Sequence, residues 1–567
     1  MIKRIKAKKT GLSIPDVLAF TFILAVFVSF FLVARYWTGP LHPPPPIDLS
    51  LRSLPYAVFL SLSRIGLAYL VCLVTSLGVG YWAAHSRTAE KIIIPLIDIG
   101  QSVPVLAFLP GLVLVFVTLF PDSRVGLEIT AVLTLYTGMA WNMMFGFYAS
   151  LKTIPREYLD TIRAYGYGRL GILLRLELPY SMNVIVWNSM LSVAGGWFFL
   201  TVCESYNTGS QSFRLVGLGS FMTLAADKGD YTAMLAGGGV MLLILVATDF
   251  FLWNPLLRWA ERFQRMEPLS DGEDDEPVLN FFAKSHRITS FVRKMRIRYA
   301  VRFYVNKRRG RRKLATSMHW EYLGWAVAAL FVAACAIGTI TAIRLVALLT
   351  LDDWKRLLVD GFWTFVRVNA VVALSALLMV PLGLWLGAQP KLVKRLQPVI
   401  QVIAAFPAPM VFPVFMAFFL WASIPLSFGS VVLMMTGAQW YLLFNVISGT
   451  AGVPERLVET ARMTGMNRLG IMRRVYFPAA FPQILTGLIT AAGGAWNVSI
   501  VAELVVFRGQ EYSARGLGAF MMTSFQSGNY PALMAAIIVM IVLIVIVNRF
   551  FWARLYELAE SKYRMDG

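Results

Sequence analysis

Charge is what this sequence has least of. Only 15% of its 567 residues are Asp, Glu, Lys or Arg, where a soluble domain carries roughly 25%, so a water-facing globular fold is excluded for most of the chain. Cysteine is scarce too. Cys72, Cys203 and Cys335 are odd in number, sit in or at the ends of apolar runs, and show no spacing that would frame disulfides or a metal. The four histidines, His42, His85, His286 and His319, are scattered, which leaves no metal site and no catalytic dyad, and so no catalytic residue to assign. The phosphate-cradling run G-x-x-x-x-G-K-[ST] is missing as well. If nucleotide drives this protein, a second chain binds it. What is there is apolar: 57% of residues are hydrophobic and the mean hydropathy is +0.64.

The net charge of +21 is local. Between Lys284 and Lys313 stand 13 Lys or Arg and no acid. Such a run between hydrophobic halves reads as a cytoplasmic loop that follows the positive-inside bias and lies beside anionic headgroups. No nucleic-acid recognition motif accompanies it, so nucleic acid is not an expected partner.

Uncharged runs long enough to cross roughly 30 Å of hydrocarbon recur along the chain. After the basic start MIKRIKAKKT comes Val17 to Ala34, followed by no small-residue cleavage site and longer than a signal core; it is read as a retained first span. The proline-rich PLHPPPPIDLS cannot be helical. Then come Ile65 to Ala84, Ile99 to Pro121, Ile129 to Leu151, Tyr180 to Cys203 and Tyr231 to Thr248. A hydrophilic linker follows, and the second half runs Tyr322 to Ile343, Val368 to Gln389, an uncharged stretch from Leu396 to Pro454, Val475 to Ala502, and Asn529 to Asn548. SIPLSFG (Ser423 to Gly429) divides the long stretch into two spans. The expectation is an all-α membrane protein of 12 transmembrane helices, with residues 1–257 as the first half, 258–320 as a cytoplasmic linker and 321–567 as the second half. Lys and Arg counts in the short loops place both termini inside.

The halves repeat. At an offset of 299, IPREYLDTIRAYGYGRLGILLRLELP (Ile154 to Pro179) lies over VPERLVETARMTGMNRLGIMRRVYFP (Val453 to Pro478), sharing Thr161/Thr460, Arg163/Arg462, Gly166/Gly465, Arg169/Arg468 and Pro179/Pro478. The register extends to Gly195/Gly494, Trp197/Trp496, Glu204/Glu503 and Gly217/Gly516. Upstream the offset is 303 and pairs Arg64/Arg367, Pro104/Pro407 and Pro110/Pro413. Six spans per copy is even, so the copies are parallel and should be related by a pseudo-twofold along the membrane normal. Within each loop, Pro155 and Pro454 suit a first helical turn, apolar residues follow helical spacing, and Gly166 and Gly465 end the helix as a left-handed cap. A short rigid helix followed by a sharp turn can transmit a push. One such loop could be a generic re-entry; two in register argue for a part that something grips.

The pattern Glu459-Thr460-Ala461, Gly465, Ile471, Pro478 resembles the EAA loop of ABC importer permeases, and Asp160-Thr161-Ile162, Gly166, Ile172, Pro179 is a looser copy. Within that superfamily the chain is similar to the nitrate/sulfonate/taurine type, with two permease halves fused. The resemblance implies coupling loops at 152–179 and 453–478, in which Asp160, Thr161, Ile162, Arg163, Gly166 and Arg169, and Glu459, Thr460, Ala461, Arg462, Gly465 and Arg468, engage two ATP-binding subunits on the cytoplasmic side. It also implies an external substrate-binding protein, ATP and Mg bound only by the partner, one copy of this chain per transporter, a bacterial or archaeal inner membrane, and a small anion such as nitrate, sulfonate, taurine or bicarbonate as substrate. The alternative, a 12-span carrier of the major facilitator type, expects a G-x-x-x-D-R-x-G-R loop, and HSRTAEK does not supply it.

Charges inside spans are costly and carry a role. Arg64 and Arg367, with Glu204 and Glu503, either form one Arg–Glu pair per half that braces a gate, or the two Arg together attract an anion. Neighbouring carboxylates would offset an anion funnel, which favours the pair. Trp197 and Trp496, beside the glycines of the fifth spans, read first as packing residues along the central path.

Overall fold

The structure is a computed structural model that describes residues 32–41, 45–205, 207–208, 211–212, 214–263 and 336–555, with single positions at 28 and 333. The expected first span before residue 32, the seventh before residue 336 and the linker beyond residue 263, basic run included, lie outside these residues.

Long uncharged runs become helices because a backbone in hydrocarbon must satisfy its own hydrogen bonds. The first half gives α1 (Leu54–His85), α2 (Arg87–Ser102), α3 (Val105–Leu119), α4 (Val125–Lys152), α5 (Arg156–Ala164), α6 (Arg169–Glu204), α7 (Leu218–Lys228) and α8 (Tyr231–Glu261). The second half repeats them as α9 (Leu351–Gly387), α10 (Pro390–Ala405), α11 (Ala408–Trp421), α12 (Leu426–Ala451), α13 (Glu455–Met463), α14 (Arg468–Ala502), α15 (Leu517–Gln526) and α16 (Tyr530–Leu555). A short apolar helix, Ala336–Val346, precedes α9. Seven of these helices are long and apolar enough to cross a membrane; α1 alone, at 32 residues, is about 48 Å long.

Two features depart from the expectation. The uncharged runs predict a continuous third span in each half, yet the chain breaks at Pro104 and at Pro407, which stand as N-caps of α3 and α11. In the second half α10 and α11 meet at 79°. Proline cannot donate the helix bond and clashes with the turn before it, so each break falls at a proline. The all-α expectation also misses two small antiparallel hairpins, each following a fifth span: β1 (Asn207–Thr208) with β2 (Gln211–Ser212), and β3 (Leu504–Phe507) with β4 (Gln510–Ser513). The second turns through Arg508 and Gly509, both at positive φ (52° and 72°), as a two-residue hairpin loop requires.

Packing repeats as faithfully as the order. The largest contacts are α12 on α14 and α9 on α12 in the second half, matched by α4 on α6 and α1 on α4 in the first. Contacts between halves are reciprocal: α6 meets α10 and α11, α14 meets α3, α8 touches α10 and α16 touches α2. One continuous apolar cluster crosses this seam, from Ile65 and Leu135 through Trp197 to Trp496 and Met540. The loop helices α5 and α13 lie at one end of the bundle and the hairpins at the other, with α6 and α14 running between.

Gly166 and Gly465 both sit at φ 78°. Each closes its helix by the same pair of bonds: Gly166 N–H to Arg163 O and Tyr167 N–H to Ile162 O, Gly465 N–H to Arg462 O and Met466 N–H to Ala461 O. That is a Schellman cap. A Cβ on Gly465 would meet nothing within 4 Å, so a substitution there tests backbone conformation alone. Gly465→Ala should cost roughly 1–2 kcal/mol, read as a lowered melting temperature of the solubilised protein, and Gly465→Asn should recover much of the loss.

Candidate functional site

The duplicated loops present an exposed surface. Asp160, Thr161, Arg163, Gly166 and Arg169 are exposed, as are Glu459, Thr460, Arg462, Gly465 and Arg468. Asp160 and Arg163 form a loose pair at 3.5 Å. The two threonine hydroxyls turn inward, donating to Glu157 O (2.7 Å) and Arg456 O (2.8 Å). The small residue of the motif matters to packing. Ala461 is buried with Val458 and Ile471, whereas Ile162 is half-buried and α5 buries no residue. Beside these polar faces stand apolar side chains with no cover: Tyr165 is 72% exposed, Leu170 57%, Met463 86% and Leu469 66%. Leu170 and Leu469 are equivalent positions. Sequence reading passed over these residues because each is a single apolar letter in a polar stretch.

Each loop leads into a widened, π-helical turn, Leu173–Glu177 and Met472–Tyr476. Pro179 and Pro478 explain both: each lacks the N–H for the preceding turn, and widening relieves the ring's clash with the carbonyl four residues back. In the first half this root is pinned by polar contacts. His85 at the end of α1 stacks on Tyr81 and meets the buried Glu177 at 2.8 Å. Glu90 takes the Tyr148 hydroxyl (2.5 Å) and Lys152 (2.9 Å), and these two bonds hold its carboxyl below the usual range.

At the opposite end lie two charged clamps. Arg64 is fully buried and forks onto Glu128, with Nε and Nη2 each at 2.7 Å. Its Nη1 donates to Glu204 (2.7 Å) and to Val216 O (2.9 Å). Glu204 also accepts from Ser61 (2.6 Å) and from the Gly219 N–H (2.8 Å), while Ser61 accepts from the Leu218 N–H. The second half repeats this with Arg367 Nη1 to Glu503 (2.9 Å) and to Arg515 O (2.7 Å), Thr364 in place of Ser61, and Gly518 in place of Gly219. Gly217 and Gly516 admit the carboxylates, since a Cβ on either would overlap Glu204 or Glu503. The copies differ at one point. Where Glu128 stands in the first half the second has Ser427, whose carbonyl takes Arg367 Nε at 3.2 Å. Two carboxylates facing one guanidinium leave an excess negative charge, offset by the positive ends of α4, which carries Glu128 in its first turn, and α7, whose Gly219 N–H bonds Glu204. Glu128 escaped sequence reading because it falls in the connection where the repeat offset changes.

Trp197 and Trp496 are buried in the core. Tyr441 on α12 comes close to the equivalent glycines of α6 and α14, its hydroxyl 3.5 Å from a Cβ placed on Gly195 and its ring 3.3 Å from one on Gly494. Asn497 on α14 crosses the seam to accept from the Val105 N–H at the head of α3, at 2.7 Å. Neither Tyr441 nor Asn497 has a counterpart of its own kind at the offset of 299, where Asn142 and Phe198 stand; a search for repeated residues therefore cannot find them.

The family pattern described as "binding-protein-dependent transport system inner membrane component" matches residues 76–253 and again residues 379–563. This chain belongs to that family. Its two matches make the permease a fusion of two halves, and a family of transport permeases is not one of enzymes. The permease is 28% identical over 179 residues to an ABC transporter permease protein of Methanocaldococcus jannaschii, covering 31% of this chain and 64% of the relative. It is 27% identical over 172 residues to the nitrate import permease protein of Leptolyngbya laminosa, covering 30% and 58%. It is 26% identical over 187 residues to the bicarbonate transport system permease protein of Synechococcus elongatus, covering 31% and 62%. Each match spans about three fifths of the relative's length.

The clamps differ in what a lost guanidinium would strand. Arg64→Gln leaves two buried carboxylates without their partner and should cost about 3–5 kcal/mol. Arg367→Gln strands one and should cost less. Melting temperatures of the two variants in detergent give the order; an equal loss would contradict the difference drawn here.

Proposed function

We propose that this permease forms the translocation path of an ATP-binding-cassette importer and is moved by ATPase subunits that grip α5 and α13. One observation carries the reading: two family matches on one chain, each containing an exposed amphipathic helix closed by the same glycine cap. Rigid helices with uncovered apolar tips (Tyr165, Leu170, Met463, Leu469) suit a protein surface in water better than lipid. The exposed residues from Asp160 to Arg169 and from Glu459 to Arg468 are the contact residues on this reading, with Ala461 packed beneath them.

On this reading the chain has 12 spans in two parallel sets of six, residues 1–257 and 321–567, joined by the linker 258–320 and related by a pseudo-twofold along the membrane normal. Reciprocal packing of α6 on α10 and α11, and of α14 on α3, supports that symmetry. Both termini, the linker, α5 and α13 face the cytoplasm, where two ATP-binding subunits hold the nucleotide and Mg. An external binding protein delivers substrate to the hairpin end, and one copy of this chain serves each transporter. Closure of the ATPase pair displaces α5 and α13, and α6 and α14 carry that displacement past their π turns to the far end. Relatives named for nitrate and bicarbonate import support a small anion as substrate. Arg64, Arg367, Glu204 and Glu503 act as clamps that keep the fifth spans rigid during this movement, since every one of them is engaged within its own half.

Reversing charge on the exposed face of α13, with Glu459→Lys and Arg462→Glu together, should leave the permease folded. Co-purification of ATP-binding subunits should then fall by about tenfold, equivalent to about 1.4 kcal/mol of interface. Unchanged recovery of those subunits from native membranes would count against α13 as the grip.

A further inference from the structure

The β3–β4 hairpin is anchored in its own half and seated on the other. Its base is held by the Ala514 N–H bonded to Glu503 O at 2.7 Å, directly over the Arg367–Glu503 clamp. Val505 and Phe507 of β3 are buried in the shared core, and the strand lies against α7 of the first half and α11 of the second. At the tip, Arg508 is held at φ 52°. Asn, Asp or Gly normally takes that position of a two-residue turn, and a strained arginine persists only where its surroundings over-determine it.

The Arg508 guanidinium stands over the neighbouring Phe507 ring, 5.5 Å from the centroid, and its other contacts reach into the first half. The Arg508 N–H donates to Ala226 O at 3.3 Å, near the end of α7. Its guanidinium donates to the Tyr231 hydroxyl and lies over that ring, 5.7 Å from the centroid. The stem passes Gly229, where an added Cβ would stand 3.7 Å from Arg508 Cγ. At the offset of 299 the first half has Gly209 and Ser210 in place of Arg508 and Gly509, so the sequence supplies this arginine once.

We propose that Arg508 is the catch of a gate: the β3–β4 hairpin, seated on Ala226, Gly229 and Tyr231, holds the hairpin end of the path closed in this conformation and leaves its seat when that end opens. The inference rests on the transport reading above. Its test uses the full chain with its ATPase subunits, in a Cys335→Ser background; Cys72 and Cys203 are buried. Tyr231→Cys with Arg508→Cys, treated with a short bis-methanethiosulfonate reagent, should become bridged without nucleotide. Bridging should fall several-fold when ATP and vanadate trap the opposite state. The bridged transporter should lose uptake and regain it on reduction. Equal bridging in both states, or uptake that survives the bridge, overturns the proposal. Arg508→Asn keeps the hairpin, because Asn-Gly suits this turn, and removes the catch. ATP hydrolysis without the binding protein should then rise several-fold, with Arg508→Lys in between; unchanged hydrolysis in Arg508→Asn also overturns it. Failed bridging in nucleotide-free membranes falls on the catch alone. A chain that bridges but captures no ATP-binding subunit overturns the transport reading instead.

Discussion

A guanidinium taken out of water must find its counter-charges within reach, and that constraint organises each half of this permease. Arg64 and Arg367 cannot remain ionised inside an apolar bundle unless carboxylates and carbonyls converge on them. Meeting that demand ties four separate stretches together: α1 or α9, which carries the arginine, the head of α4 or α12, the end of α6 or α14, and the short helix α7 or α15 that follows the hairpin. Glu204 and Glu503 do double duty. Their side chains close the clamp and receive the head of α7 or α15, while their backbone carbonyls fix the base of each hairpin at Leu215 or Ala514. The far end of the bundle is therefore set by a polar knot, and apolar packing fills in around it.

The loop end is built on the opposite principle. Here α5 packs through half-buried Tyr158 and Leu159, α13 packs through Val458 and Ala461, each ends in a glycine cap, and most of their surface is left free. A stiff element on a light attachment, followed by a widened helical turn, moves as a unit. A polar knot at one end and lightly attached helices at the other is the division of labour that the proposed transmission through α6 and α14 requires.

Much of this was legible in the letters, because the duplication doubles every signal. Gly166 and Gly465 were readable as left-handed caps since glycine is the usual residue in that conformation and recurs there in register. Arg64, Arg367, Glu204 and Glu503 stood out as charges among apolar neighbours. Other features lacked a readable signal for physical reasons. The breaks at Pro104 and Pro407 hide because proline is common within membrane helices and its effect depends on what satisfies the freed carbonyls. Hairpins of two to four residues per strand are too short to show alternation. Glu128, Tyr441 and Asn497 have no twin, and a reading based on repetition is blind to whatever one copy does alone.

The seam between the halves has a consequence of its own. Two identical subunits would have to present the same face to each other, so any group on one wall would be mirrored on the opposite one. Here Tyr441 is equivalent in the repeat to Asn142, and Asn497 to Phe198. Joining the copies in one polypeptide frees each half to carry its own residue at such a position, as Asn497 does by reaching across to the head of α3 while Phe198 stands at the equivalent place.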